Sequence, residues 1–205
     1  GMRNLQFHQA HVDPNDYFLE VLRRDPGDVR ANTQMGIFYR KAGDFGKAKA
    51  YLRKAIARQT ANYTRPSDGE AMYNLGLILK AEGKVEAAID TLYRAVWDYE
   101  YASAGYYQLA QLSSSLGNAR QALEEAEMAV RYNGMNIDAK NLRTTLLRRS
   151  GRSLEARKQA QEVIEISPLN HYASYELVKL GGNASDFTGL LRGVSESYLE
   201  TAICY

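Results

Sequence analysis

The sequence predicts an all-α solenoid, a row of tandem helical hairpins stacked side by side, and three observations carry that expectation. Gly43, Gly83, Gly117 and Gly151 recur at intervals of 40, 34 and 34 residues. Alanines follow five residues behind each, at Ala48, Ala88, Ala122 and Ala156, and a further row lies at Ala55, Ala95, Ala129 and Val163. The segments on both sides of each glycine are amphipathic at helical spacing. Self-similarity at such a period marks a repeat architecture, in which each unit buries its apolar face against its neighbours. Small residues in register let two helix backbones approach closely. A glycine between two helices can take the positive φ that ends the first and turns the chain back.

Taken in order, 17–26 (YFLEVLRRDP) reads as the second helix of a preceding unit, because Pro26 stands three residues before Val29 as Pro168 stands three before His171. Residues 1–28 are therefore a partial repeat, and Gly1 before Met2 reads as a cleavage scar. The first full hairpin is 29–62, with Met35, Gly36 and Tyr39 in its first helix and Phe45, Ala48, Leu52 and Ala55 in or entering its second. Residues 63–68, which contain Pro66, are an insertion loop. The second hairpin, 69–102, carries Leu75, Gly76, Gly83, Ala88, Leu92 and Ala95 in the same places. The third, 103–136, has Ala110 for the early glycine and Ala126 for the late leucine. The fourth, 137–170, diverges at Arg143 and Thr144, but Gly151, Ala156 and Pro168 restore the register. Residues 171–205 read as a degenerate repeat interrupted by Gly181-Gly182, followed by a further helix over 195–205 with Ser195 as its cap. That helix ends with Ile203 and Cys204 uncovered, which points to a fragment of a longer array.

The totals narrow the function classes. With 45% hydrophobic and 24% charged residues and only four prolines, the chain has the make-up of a folded, helix-compatible protein. Lysine plus arginine exceed aspartate plus glutamate by only 26 to 24, with both signs interspersed, so no basic face is directed at nucleic acid. No apolar run is long enough to span a bilayer, and residues 1–16 hold no signal-peptide core. The single cysteine, Cys204, leaves no intrachain disulfide and fits a reducing, cytoplasmic location.

Four in-register units over roughly 17–180 resemble the tetratricopeptide repeat family, whose period is 34 residues. The strings at 22–28 (LRRDPGD), 68–80 (DGEAMYNLGLILK) and 93–97 (YRAVW) are similar to the helical region of bacterial multidomain proteins in which the array follows a β-rich domain. The resemblance implies a right-handed superhelix and, through such proteins, a link to carbohydrate utilisation. It also implies that the second, fifth, sixth, ninth and twelfth positions of each first helix line a concave groove. The fifth positions are Thr33, Tyr73, Tyr107, Asn141 and Tyr175, and the sixth include Gln34, Asn74 and Gln108. The ninth are Ile37, Leu77 and Gln111, and the twelfth include Arg40, Lys80 and Arg148.

Tyrosine offers rigid amphipathic area and amides can satisfy backbone groups, so this set suits an extended peptide. It also suits a sugar face, and the same tyrosines could simply pack between helices. Members of the family that grip a C-terminal carboxylate use a lysine-rich set at places held here by Thr33, Ile37, Asn74, Ala104 and Gln108, of which Asn74 alone matches. A clamp of that kind is not expected, because the cations are missing.

Chemistry-bearing constellations are few. His8 and His11, one helical turn apart with Asp13 and Asp16 nearby, are the best metal candidates, but no second ligand pair is in view. No nucleophile, metal or cofactor site stands out from the surface residues. The expected function is that of a non-enzymatic protein-protein interaction or scaffolding segment of a larger protein. It would bind a protein or peptide in the groove, or alternatively contact glycan or dock a neighbouring domain. Self-association through exposed end helices is a third expectation.

Overall fold

The computed structural model describes residues 13–62 and 64–196. His8, His11 and Cys204, and the helix expected over 195–205 beyond Glu196, lie outside the described residues. Those described form eleven α-helices and no strand. They are α1 (Pro14–Arg24), α2 (Val29–Lys41), α3 (Phe45–Gln59), α4 (Glu70–Ala81), α5 (Val85–Ala95), α6 (Tyr99–Ser115), α7 (Ala119–Tyr132), α8 (Ile137–Arg149), α9 (Ser153–Ile166), α10 (His171–Lys179) and α11 (Ala184–Leu191). The all-α hairpin architecture expected from the sequence is thus present.

Each start has a local cause. Asp13, Asp28, Asp44, Asn136, Asn170 and Asn183 all accept a backbone N–H of the first turn that follows, meeting a donor with no partner inside the helix. Pro14 stands at the first turn of α1, where its missing N–H costs nothing. Asp98 receives the N–H of Glu100 and of Gly69 and so begins α6 at Tyr99, four residues ahead of the expected hairpin start at 103.

The turns repeat one bond pattern. Gly43 has φ +80°, and the N–H of Asp44 reaches back to the Tyr39 carbonyl at 2.9 Å. The same bond joins Lys84 to Leu79, Asn118 to Ser113 and Arg152 to Leu147, each at 2.9 Å. A Cβ on Gly43 would meet nothing within 4 Å, so backbone conformation and not crowding selects glycine there. Gly181, with φ +88°, is followed by Gly182, whose N–H bonds the Leu177 carbonyl at 2.8 Å. The expected interruption at Gly181-Gly182 is therefore a turn of the same kind, between α10 and α11.

The chain divides into two compact units, residues 1–108 and 109–205, with the boundary inside α6. In the first unit α1 packs on α2, α2 on α3, α3 on α4 and α4 on α5, and α2 also lies beside α4. In the second, α7 packs on α8, α8 on α9, α9 on α10 and α10 on α11, and α8 lies beside α10. The first helices of successive hairpins are neighbours in both units.

Packing explains the small residues. A Cβ on Gly76 would come within 2.7 Å of Leu92, and one on Gly36 within 2.5 Å of Leu52, so each leucine sits against bare backbone. Both leucines are fully buried, as are Ala48, Ala55, Ala88 and Ala95. In the second unit Ala110, Ala122, Ala126 and Leu146 form one core cluster, and Ala160, Val163 and Ala173 another. Between residues 64 and 68 Pro66 is buried and the Arg65 guanidinium donates to the Trp97 carbonyl at 2.7 Å.

Candidate functional site

The groove residues expected from the sequence lie on α2, α4, α6, α8 and α10, and the structure joins many of them to one another. In the first unit Arg40 Nε donates to Asn74 Oδ1 at 2.9 Å, and Asn74 Nδ2 donates to the Glu70 carbonyl at 2.9 Å. Lys80 Nζ donates to Gln108 Oε1 at 2.7 Å. Gln34 Nε2 reaches the Glu70 carboxylate at 3.3 Å. Gln108 also hydrogen-bonds the Tyr73 hydroxyl, and the Tyr73 and Tyr101 rings lie 5.4 Å apart. A polar ladder thus runs across three first helices, with Ile37, Tyr73, Leu77 and Tyr107 half-buried among its rungs.

The ladder is set in a partly dry place. Burial raises the Glu70 carboxyl above the usual glutamate range; hydrogen bonds from Tyr101 and Gln34 pull it down, while the charges of Asp68 and Glu100 push it up. Burial, followed by the Glu70 charge, raises the Tyr101 hydroxyl. Burial also lowers the Lys80 ammonium and raises the Tyr73 hydroxyl. Glu70, Tyr73 and Lys80 lie on α4, and the Tyr101 hydroxyl reaches the Glu70 carboxylate from α6.

In the second unit the arrangement is ionic. Glu176 is fully buried, and Arg148 grips it with Nε at 2.6 Å and Nη2 at 3.1 Å, a two-point pairing. Thr145 donates to the same carboxylate at 2.8 Å and lies 2.7 Å from the Tyr172 hydroxyl. A carboxylate only accepts, so the Thr145 proton goes to Glu176 and Tyr172 donates to Thr145. Beside this cluster lies a cavity of about 340 Å³ lined by Ser114, Leu142, Thr145, Arg148, Arg149 and Tyr172. Asn141 is buried on α8 with its Oδ1 unpartnered. Tyr175 leans on Phe187 of α11, ring centroids 5.3 Å apart, with the Lys179 ammonium over its face.

One rule connects these contacts. The twelfth-position cation of one hairpin bonds the sixth-position residue of the next: Arg40 to Asn74, Lys80 to Gln108 and Arg148 to Glu176. The structure therefore draws together Gln34, Arg40, Tyr73, Asn74, Lys80 and Gln108 in one unit. In the other it places Arg148 with Thr145, Tyr172 and Glu176, and Tyr175 against Phe187. Thr33 is buried, bonding its own helix at the Val29 carbonyl. Gln111 is half-buried on α6. Sequence reasoning overlooked Glu70, Tyr172 and Glu176, although the first two are second-position residues and the last is a sixth-position residue. Tyr101 precedes the expected hairpin start, and no spacing signal pointed to it.

Residues 33–105 match the family model described as the tetratricopeptide repeat. The match covers about a third of the chain, the first two hairpins and the start of α6. Among solved structures it is similar to the pilF protein of Pseudomonas aeruginosa, at 19% identity over 98% of this chain and 91% of that one, with a TM-score of 0.79. It is also similar to MamA, at 26% identity over 74% of this chain and 85% of that one (TM-score 0.62). YrrB, described as a TPR protein with an unusual peptide-binding site, matches at 18% identity over 91% and 89% of the two chains (TM-score 0.63). These likenesses place the chain in the α-α solenoid fold. Among the described residues no helix is long and apolar enough to cross a membrane, and no three His, Cys, Asp or Glu side chains are grouped to hold a metal ion.

Proposed function

We propose that the chain is an interaction scaffold that holds an extended polypeptide segment along the first-helix groove of its first unit, across Ile37, Tyr73, Leu77 and Tyr107. The observation that supports this most directly is the ladder itself. Arg40 and Lys80 are turned onto Asn74 and Gln108, so they brace neighbouring helices and leave rings and aliphatic chains as the contact surface between braced rungs. A preorganised surface binds at a lower cost in entropy than one that must order on contact. Tetratricopeptide repeats serve protein-protein contacts, and YrrB, of the same fold, has a peptide-binding site by its description.

The test is a pull-down from cell lysate with the immobilised chain and with a Tyr73→Ala/Tyr107→Ala variant, read by mass spectrometry. A specific protein retained by the first and lost from the second, with the thermal midpoint shifted little, is the expected result. Each buried aromatic anchor should account for about 2 kcal/mol of binding. If the double variant instead loses the fold, the rings are core and the groove assignment fails. A glycan array run alongside examines the accessory-domain alternative, which a bound sugar with no protein partner would favour.

A further inference from the structure

The near-neutral total conceals a segregated charge. The α3 helix carries Lys47, Lys49, Arg53, Lys54 and Arg58 and no carboxylate, while the whole chain has a formal net charge of only +2. Burial shows how these cations are arranged. Ala48, Leu52 and Ala55 face the core, and Gly46, Ala50 and Ala57 are exposed on the opposite side. At 100° per residue those three small residues form a seam. Lys49 and Arg53 flank the seam on or near one edge, and Lys47, Lys54 and Arg58 flank it on the other.

The second row is held in place. Tyr39 and Tyr51 stack with centroids 5.6 Å apart and planes 7° from parallel. The Lys47 ammonium lies 5.0 Å over the first ring and the Lys54 ammonium 5.8 Å over the second. Such contacts orient an ammonium without neutralising it. Lys49 is paired with Glu82 and Lys47 with Asp44, but among the described residues Arg53 and Arg58 make no ion pair. The outer face of α3 is therefore a low seam between two cationic rows, with two free guanidinium groups.

We infer that this face is a second interaction surface, separate from the groove, and that it takes an acidic helical segment of a protein partner. Charge complementarity selects the sign, and the seam selects the shape. Exposed glycine and alanine let another helix backbone come close, with its Glu or Asp side chains falling between the rows one turn apart. A membrane surface would need large apolar side chains on the face, where this one offers Gly46, Ala50 and Ala57. A nucleic-acid backbone would extend beyond the roughly 22 Å that fifteen helical residues cover, and Glu86 and Asp90 are exposed on α5, the second helix of the next hairpin.

The experiment is fluorescence anisotropy of the full chain against a labelled synthetic helix of about twenty residues, with an alanine seam flanked by glutamates. Its counterpart carries glutamine in place of glutamate. The glutamate peptide is expected to bind at least roughly tenfold more tightly than the glutamine one, and to weaken when salt rises from about 50 to about 300 mM. Arg53→Gln/Lys54→Gln/Arg58→Gln should lower its affinity roughly tenfold with helicity and thermal midpoint unchanged, while Tyr73→Ala/Tyr107→Ala leaves it unaltered. If the triple variant loses stability, Arg53→Gln alone should lower affinity roughly threefold. No binding, equal binding of the two peptides, or equally tight capture of duplex DNA or phosphatidylserine vesicles would overturn the inference.

Discussion

The two units build the same hairpin from different volumes. In the first, a leucine on the second helix faces a glycine on the first, Leu52 against Gly36 and Leu92 against Gly76. In the second, the corresponding residues are Ala126 with Ala110 and Ala160 with Thr144, all four fully buried. As the second-helix residue shrinks, the first-helix residue grows, because a close-packed interface accepts a transfer of volume across it more readily than a change in the total. The groove differs in parallel. The sixth-position partner is an amide at Asn74 and Gln108 but a buried carboxylate at Glu176. Turn and bracing rule are shared, and what varies between the units is how much each brace has at stake.

The largest effect should come from breaking the ionic brace. Arg148→Met leaves Glu176 buried and charged without its cation, which should cost about 3 kcal/mol or more in urea unfolding at neutral pH. Adding Glu176→Gln should recover most of that loss, because a neutral amide no longer demands a counter-charge. The matching change in the first unit, Arg40→Met, leaves only the Asn74 amide and should cost about 1 kcal/mol. Equal losses at the two sites would show that packing of the arginine stems, and not the charge beneath, sets the cost.

A smaller effect tests the volume exchange. Gly76→Ala places a Cβ 2.7 Å from a fully buried leucine and should destabilise by about 2 kcal/mol. Combined with Leu92→Ala it imports the pairing of the second unit, so the double variant should lose at least about 1 kcal/mol less than the sum of the two singles. Simple additivity would mean that Gly76 and Leu92 do not compensate each other, and the comparison between the units would fail.

Much of this architecture was legible because its causes are local and periodic. Gly43, Gly83, Gly117 and Gly151 each need the left-handed conformation, and a conformational demand repeats in the sequence as a residue type. The start of α6 was missed because Asp98 serves two segments at once, capping α6 and receiving the N–H of Gly69 from across the insertion. The groove positions could be read as a face but not as pairs, since each brace joins residues 28 or 34 apart and depends on which helices are neighbours. The cationic face of α3 was hidden by counting charge over the whole chain, where carboxylates spread over the other segments offset it.

The finest test of the groove is at Glu70, whose carboxyl burial holds above the ordinary glutamate value of 4.5. A group with a raised folded-state value binds its proton before the unfolded chain does as pH falls, so stability rises as pH drops through that value and is lost again as pH climbs above it. Glu70→Gln removes the charge while keeping an oxygen to accept from Tyr101 and Gln34. The variant should therefore melt slightly higher than the parent at pH 7, by about a degree, and the difference should close as pH falls toward 4.5. The sign is what matters, because an exposed carboxylate that merely stabilised the start of α4 would give the opposite one: its removal would lower the midpoint at pH 7. A variant less stable than the parent at neutral pH would thus place Glu70 at the surface as a helix-start charge and remove the dry setting on which the braced groove of the first unit is argued.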